Sequence, residues 1–374
     1  MTTEAAGRLD PLVAGLLPSP SPVRFLDPGG EPVDEHDGYR PPADELLVRA
    51  YEAMTLVRRL DTQATALARQ GRIAAFPSSS GQEACQAGAA LALRPRDWLF
   101  PTYRDSGALL SRGVDPLEVL APVRGHRHCG YDPRAHRCAP MSTPLATQAP
   151  HGTGLAVAAR WQGTDEVALV LLGDGATSEG DFHEALNFAA VFRAPVVFLV
   201  QNNRYAISVP VSRQSAAPSL AYKGIGYGVR AEQVDGNDAV AVLSVLAEAV
   251  DHARAGLGPM LVEAHTYRMG PHTSADDASR YRDDGEVAIW RARDPIERLR
   301  AYLRGRGLLD DAAEAAVAAR AEALAARVRA GVAEDPSVEP TEILDQVYAV
   351  APAFLAEQRA ALLSELDAEG GAAR

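Results

Sequence analysis

Val167-Ala-Leu-Val-Leu-Leu-Gly-Asp-Gly175 is followed, after residues 176–201, by Asn202-Asn203 at the end of a second apolar run, Pro195-Val-Val-Phe-Leu-Val200. Between the two runs, Asp181–Phe192 carries Ala185, Leu186, Ala189 and Phe192 at helical spacing. Strand, loop, helix and strand in that order predict a βαβ unit with parallel strands and a right-handed crossover. Asp174 and Asn203 then stand at the carboxyl ends of neighbouring strands, where open α/β sheets bind ligands.

The residue types set the chemistry. A carboxylate from Asp174 and an amide oxygen from Asn203 are hard donors suited to Mg²⁺. Gly173 and Gly175 let backbone approach a bulky anion, and the following helix offers its free N–H groups to negative charge. Two protein oxygens leave most of an octahedral shell to water and phosphate. A Mg²⁺-bridged phosphate or diphosphate is therefore expected.

Composition narrows the class. A net charge of −12 without a basic block argues against nucleic-acid or anionic-membrane partners. Apolar runs are too short for a membrane span, and no basic-then-apolar leader opens the chain. Three cysteines in 374 residues suggest a reducing, cytoplasmic setting rather than a disulfide framework.

Along the chain, residues 1–40 read as an extended, Pro/Gly-rich arm, with a hairpin around Gly29-Gly30. Residues 41–310 read as an α/β domain with a mostly parallel sheet flanked by helices. Residues 311–374 read as a helical segment packed on that same domain. A long helix is expected from Asp44 as N-cap, with Leu47, Ala50, Met54, Val57 and Leu60 inward. Further helices are expected at 84–93, 148–161, from Asn237, at 311–331 and at 352–368, and strands at 98–100 and 260–265. Arg268–Glu286 is polar and reads as a long functional loop.

Gly-Asp-Gly with Asn-Asn at this spacing resembles the thiamine-diphosphate fingerprint. The wider order of motifs resembles the alpha subunit of the decarboxylating component of 2-oxo acid dehydrogenase complexes. It runs through Gln70-Gly-Arg-Ile73, Gly81-Gln-Glu-Ala84, Tyr103-Arg104, Ser142-Thr-Pro-Leu-Ala-Thr-Gln148, Tyr205-Ala-Ile-Ser208 and Tyr267-Arg-Met-Gly-Pro-His-Thr273. The resemblance implies a thiamine-diphosphate-binding fold. It implies that Asp174, Asn203 and the carbonyl of Tyr205 hold Mg²⁺, that Gly175 and Ala176 lie against the diphosphate, and that Tyr103 and Arg104 bind it. Thr143 falls near the cofactor's sulfur ring. Arg268 and His272 belong to the active-site loop, with His272 placed to donate to phosphate or move a proton. Ser142, Pro144, Thr147 and Gln148 match a K⁺ loop of branched-chain members; a helix capped by Ser142 or Thr143 is the alternative.

The carboxylic acid that works against the cofactor's pyrimidine ring belongs, in that family, to a beta subunit. Half an active site is therefore expected here, completed in an α2β2 heterotetramer and served by the lipoyl domain of an acyltransferase core. The implied reaction decarboxylates a 2-oxo acid and reductively acylates the lipoyl group. Met54-Thr-Leu56, Gln70–Ile73 and Pro144–Gln148 resemble branched-chain enzymes, whereas Gly81–Ala84 and Gly270–Thr273 also resemble pyruvate enzymes, and branched-chain 2-oxo acids are the expected substrates. A pyruvate-specific alpha subunit and a Mg-nucleotide-binding structural subunit stand as alternatives. The cluster His126, His128, Cys129, His136 and Cys138 has Zn-ligand residue types but no common finger spacing, and reads as a basic solvated loop.

Overall fold

Every strand of the main sheet ends on the same side, and that side carries the site. The computed structural model describes residues 11–36, 38–125, 129–333, 339–345 and 348–372. Strand β1 spans Trp98–Phe100, β2 Ala168–Gly173, β3 Val196–Asn202, β4 Tyr205–Ala206, β5 Val209–Pro210, β6 Arg230–Asp235 and β7 Met260–His265. Five of these form one parallel sheet in the order β1-β2-β3-β7-β6, while β4 and β5 pair as a short antiparallel hairpin. Strands β2 and β3 run parallel, from Ala168 opposite Val196 to Gly173 opposite Gln201. The helix between them is Gly180–Val191.

Strands β2 and β3 are near-continuous apolar runs because both faces of the sheet are covered. Alternation sorts their side chains into two cores. Leu169, Leu171, Val197, Leu199, Met260 and Val262 pack with residues of the helices Asp44–Arg69, Glu83–Leu91 and Ala239–Arg254. Val170, Leu172, Phe198, Val200 and Leu261 pack with the helices Gln148–Gln162 and Gly180–Val191. The Gln148–Gln162 helix lies close on the sheet. A Cβ on Gly152 would fall 2.4 Å from Val170 Cγ2, so any side chain there would push the helix away.

Several boundaries differ from expectation. The long helix begins at Asp44 itself, with Ala43 at the cap position and no side-chain cap. Asp44 instead lies in the first turn, where a negative charge suits the helix end, and pairs with Arg306 at 2.7 Å. A 3₁₀ turn not expected from the sequence, Asp174–Ser178, separates β2 from its helix and opens on the fingerprint acid directly after β2. The loop after β7 is shorter than expected: a helix opens at Asp284, capped by the Asp283 carboxylate on the Glu286 N–H at 2.9 Å.

The N-terminal arm forms the expected hairpin, with Asp27 N–H donating to Glu31 O at 2.8 Å. It is not extended throughout, since Pro11–Ala14 is a helical turn. Val23 forms a parallel bridge with Val234 of β6, so the arm covers the sheet edge that would otherwise present bare backbone groups. At the other end of the chain, the Asp311–Ala333 helix packs on Asp44–Arg69 through Val317, Ala321, Ala325 and Val328. No described helix is long and apolar enough to cross a membrane.

Candidate active site

The carboxyl ends of the strands open onto a cleft of about 1080 Å³. Tyr103 and Arg104 reach it from beyond β1, Asp174, Gly175 and Ala176 from β2, and Asn203 and Tyr205 from β3. Arg268 and His272 enter from beyond β7, and Thr143 from the loop before the Gln148–Gln162 helix.

One part of the cleft gathers oxygens. The inward terminus of the Asn203 amide stands 3.3 Å from Asp174 Oδ1 and 3.1 Å from the Tyr205 carbonyl oxygen. With its nitrogen inward, the amide donates to both. With its oxygen inward, Nδ2 donates to Gln82 Oε1 at 3.3 Å, and the amide oxygen stands beside two other acceptors. That second arrangement suits a cation. An octahedron with Mg–O bonds of 2.0–2.1 Å has edges of about 3 Å, close to both separations. Arg204, at φ 77°, supplies the left-handed turn between Asn203 and Tyr205. Such strained backbone concentrates at functional sites. Gly175 brings the β2 loop against the hairpin: a Cβ there would fall 2.8 Å from Ala206 Cβ.

Asp174 is 1% exposed, and burial raises its carboxyl above the ordinary range. A bond from Gln214 Nε2 to Asp174 Oδ2, at 2.6 Å, works in the opposite direction.

The other part gathers nitrogens. Arg104 donates through Nη1 to Ser78 O at 2.7 Å, and through Nη2 to His272 O and Nδ1, both at 3.0 Å. Arg268 donates to Tyr205 O at 3.1 Å, to Ile207 O at 2.7 Å and to the Tyr281 hydroxyl at 3.0 Å. None of these partners is an anion. A guanidinium only donates, so His272 Nδ1 accepts and the neutral ring carries its proton on Nε2. Burial, then Arg104 and Arg268, pull the His272 imidazole down to about 4. Two buried guanidiniums whose direct partners are neutral, beside a neutral histidine, offer donors to an anion; the neighbouring Asp276 carboxylate is engaged by the His272 backbone N–H, at 2.7 Å, and by the Tyr281 hydroxyl.

The dehydrogenase E1 component family matches over residues 51–340. The chain belongs to that family. Two relatives mark its range. It is 49% identical over 345 residues to the 3-methyl-2-oxobutanoate dehydrogenase subunit alpha of Mycobacterium tuberculosis, covering 92% of this chain and 94% of the relative. It is 39% identical over 340 residues to the pyruvate dehydrogenase E1 component subunit alpha of Staphylococcus aureus, covering 90% and 91%. The dehydrogenase E1 component family comprises thiamine-diphosphate-dependent oxidoreductases of 2-oxo acids, as the motifs implied.

In this E1 chain the expected K⁺ residues divide. Ser142 and Gln148 line the cleft, while Pro144 and Thr147 are not among its lining residues. Ser142 Oγ donates to Pro144 O at 3.0 Å. Gln148 Nε2 donates to Leu171 O at 2.7 Å, which leaves Gln148 Oε1 buried without a partner among the described residues. Neither Ser142 nor Thr143 caps the following helix: Thr147 holds the cap position, without a side-chain bond.

Three glutamines, Gln82, Gln201 and Gln214, also line the cleft and were given no role from the sequence. Gln82 lies inside the quoted motif Gly81-Gln-Glu-Ala84 and Gln201 immediately precedes Asn202-Asn203, which was the available signal; Gln214 had none. Of the histidine–cysteine cluster, His126 and His128 lie outside the described residues. Cys138 is fully buried rather than in a solvated loop, and the described residues hold no group of three metal-ligating side chains.

Proposed function

We propose that this chain is the alpha subunit of an E1 enzyme that decarboxylates branched-chain 2-oxo acids and passes the acyl group to a lipoyl arm. The observation that carries the reading is the juxtaposition of the two clusters. The oxygens of Asp174, Asn203 and Tyr205 suit Mg²⁺, and Arg104, Arg268 and His272 beside them suit the diphosphate that Mg²⁺ would bridge. When bound, thiamine diphosphate supplies the electron sink for loss of CO₂.

The chain's own residues bind and orient. Asp174, Asn203 and the Tyr205 carbonyl hold the metal, and Gly175 and Ala176 bring backbone against the diphosphate. Tyr103, Arg104 and Arg268 hold its oxygens, and Thr143 lies toward the sulfur ring. His272 keeps a proton on Nε2 at neutral pH, available to a phosphate oxygen or to acyl transfer. The unpartnered Gln148 Oε1 suits K⁺ in the Ser142–Gln148 loop, with Ser142, Pro144 and Thr147 as the other ligands. A beta subunit completes the site in an α2β2 assembly, and the acyltransferase core brings its lipoyl domain. A cytoplasmic location is part of the same reading, supported by three free cysteines.

The branched-chain preference is supported by the higher identity to the relative named for 3-methyl-2-oxobutanoate. The test is the ratio of kcat/KM for 3-methyl-2-oxobutanoate and pyruvate, with the beta subunit present. A methylene or two is worth about 10- to 200-fold, and a ratio favouring pyruvate rejects the preference. Calorimetry on the full chain, with thiamine diphosphate or ATP and Mg²⁺, separates this reading from a nucleotide-binding subunit.

A further inference from the structure

Gln214 follows the β4–β5 hairpin and reaches back across the cleft to the β2 loop. Its Nε2 donates to Asp174 Oδ2 at 2.6 Å and to Val209 O at 2.9 Å. Both partners are acceptors, so the amide orientation is fixed: its nitrogen faces them and its oxygen faces away. That oxygen, Oε1, is buried and has no hydrogen-bond partner among the described residues. Meanwhile Asp174 Oδ1 is the atom that faces the Asn203 amide, whose same terminus lies 3.1 Å from the Tyr205 carbonyl oxygen. The carboxylate is therefore divided, with one oxygen toward the metal point and the other engaged by Gln214.

We propose that Gln214 is a positioning residue that holds Asp174 to one-oxygen coordination and so sets the preference of the site for Mg²⁺ over Ca²⁺. The inference deepens the Mg²⁺ reading above and rests on it. The physical reason lies in the two ions. Mg²⁺ demands a near-ideal octahedron and usually takes a carboxylate through one oxygen, keeping several waters. Ca²⁺ is larger, accepts six to eight oxygens and readily takes both oxygens of one carboxylate. A donor seated on Oδ2 removes the second oxygen from the metal. The free Oε1 of Gln214 supplies an acceptor suited to a metal-bound water, the kind of outer contact that orients a coordination shell. By holding Val209 O as well, Gln214 ties Asp174 to the hairpin whose first residue, Tyr205, brings the third oxygen.

The test is calorimetric titration of the full chain, with its beta subunit where the two purify together, by MgCl₂ or CaCl₂ at saturating thiamine diphosphate. Wild type is compared with Gln214→Met, which keeps the length without the donor, and Gln214→Ala, which removes the side chain. Melting without metal reads folding separately. The expected result is a loss of Mg²⁺ affinity of about 10- to 100-fold with Ca²⁺ affinity kept or improved. A variant that weakens both ions equally, or leaves the Mg²⁺:Ca²⁺ ratio at its wild-type value, overturns the proposal while leaving the metal site intact. Cofactor binding by wild type without any divalent ion overturns the metal reading and the role of Gln214 together.

Discussion

The oxygen end and the nitrogen end of the cleft are assembled in different ways. Asp174, Asn203 and Tyr205 come from one βαβ unit and the turn after it, so a single short stretch of chain carries every oxygen. Arg104 and Arg268 come from beyond β1 and β7, which are separated by β2 and β3 in the sheet order, and both contact His272. The oxygen end is held by covalent neighbourhood and strained backbone at Arg204. The nitrogen end is held by hydrogen bonds to carbonyls of three separate segments, at Ser78, at Tyr205 and Ile207, and at His272 itself. A local motif can thus be read from spacing, whereas a site made by tertiary convergence cannot.

The sharpest break of this comparison is Asp174→Ala. It removes the one anionic donor of the oxygen end and should reduce Mg²⁺-dependent cofactor affinity by more than the roughly 100-fold that an outer partner can cost. Circular dichroism should show the fold intact, and wild-type affinity by calorimetry would contradict the metal assignment. Next comes Arg104→Lys, which keeps the charge but loses the fork that spans Ser78 O and His272. Diphosphate affinity should fall by about 10-fold, consistent with one or two charge-assisted bonds of roughly 1.5–3 kcal/mol partly replaced.

His272 provides a smaller effect with a definite sign. Its folded-state pKa, about 4, lies below the ordinary value of 6.5, through burial first and then Arg104 and Arg268. The neutral ring therefore contributes stability that is complete above pH 6.5 and is lost progressively as pH falls from 6.5 through about 4. An arriving diphosphate adds negative charge to that of Asp276 and raises that pKa. Binding near pH 5.5 should then take up protons, measurable as a dependence of the calorimetric enthalpy on buffer ionisation. Equal uptake by His272→Asn would assign the proton elsewhere. The smallest expected change is Tyr205→Phe. The substitution removes the hydroxyl bond to Glu286 Oε2, 2.7 Å, and spares the carbonyl, so cofactor affinity should move less than about 10-fold. A larger loss would mean that Tyr205 acts through its ring rather than its backbone.

What the sequence revealed follows the same division. The two apolar runs and the helix between them marked β2, β3 and their connection within a residue or two, because a buried parallel strand has a continuous pattern. The inward face of the Asp44–Arg69 helix was legible from its spacing, and Leu47, Ala50, Met54, Val57 and Leu60 are all buried. Its missing side-chain cap was not, because an acidic residue at a helix start suits either the cap or the first turn. The 3₁₀ turn at Asp174–Ser178 escaped notice because short glycine-containing turns leave no periodic signal. Arg104 and His272 were reached only through resemblance to a family, since nothing within either segment encodes the other. Gln214 carried no mark at all, for an uncharged amide in a loop acquires meaning only from the carboxylate it meets.

The carbonyl tethers of Arg104 and Arg268 bear on how the protein behaves in the laboratory. Because these two side chains bond to neutral oxygens rather than directly to a carboxylate, positive charge that Asp276 and Asp174 offset only in part stays on offer to small polyanions in solution. Phosphate and sulfate buffers will therefore compete at this spot, and cofactor affinities measured in them will be lower than in buffers whose anions are weakly held.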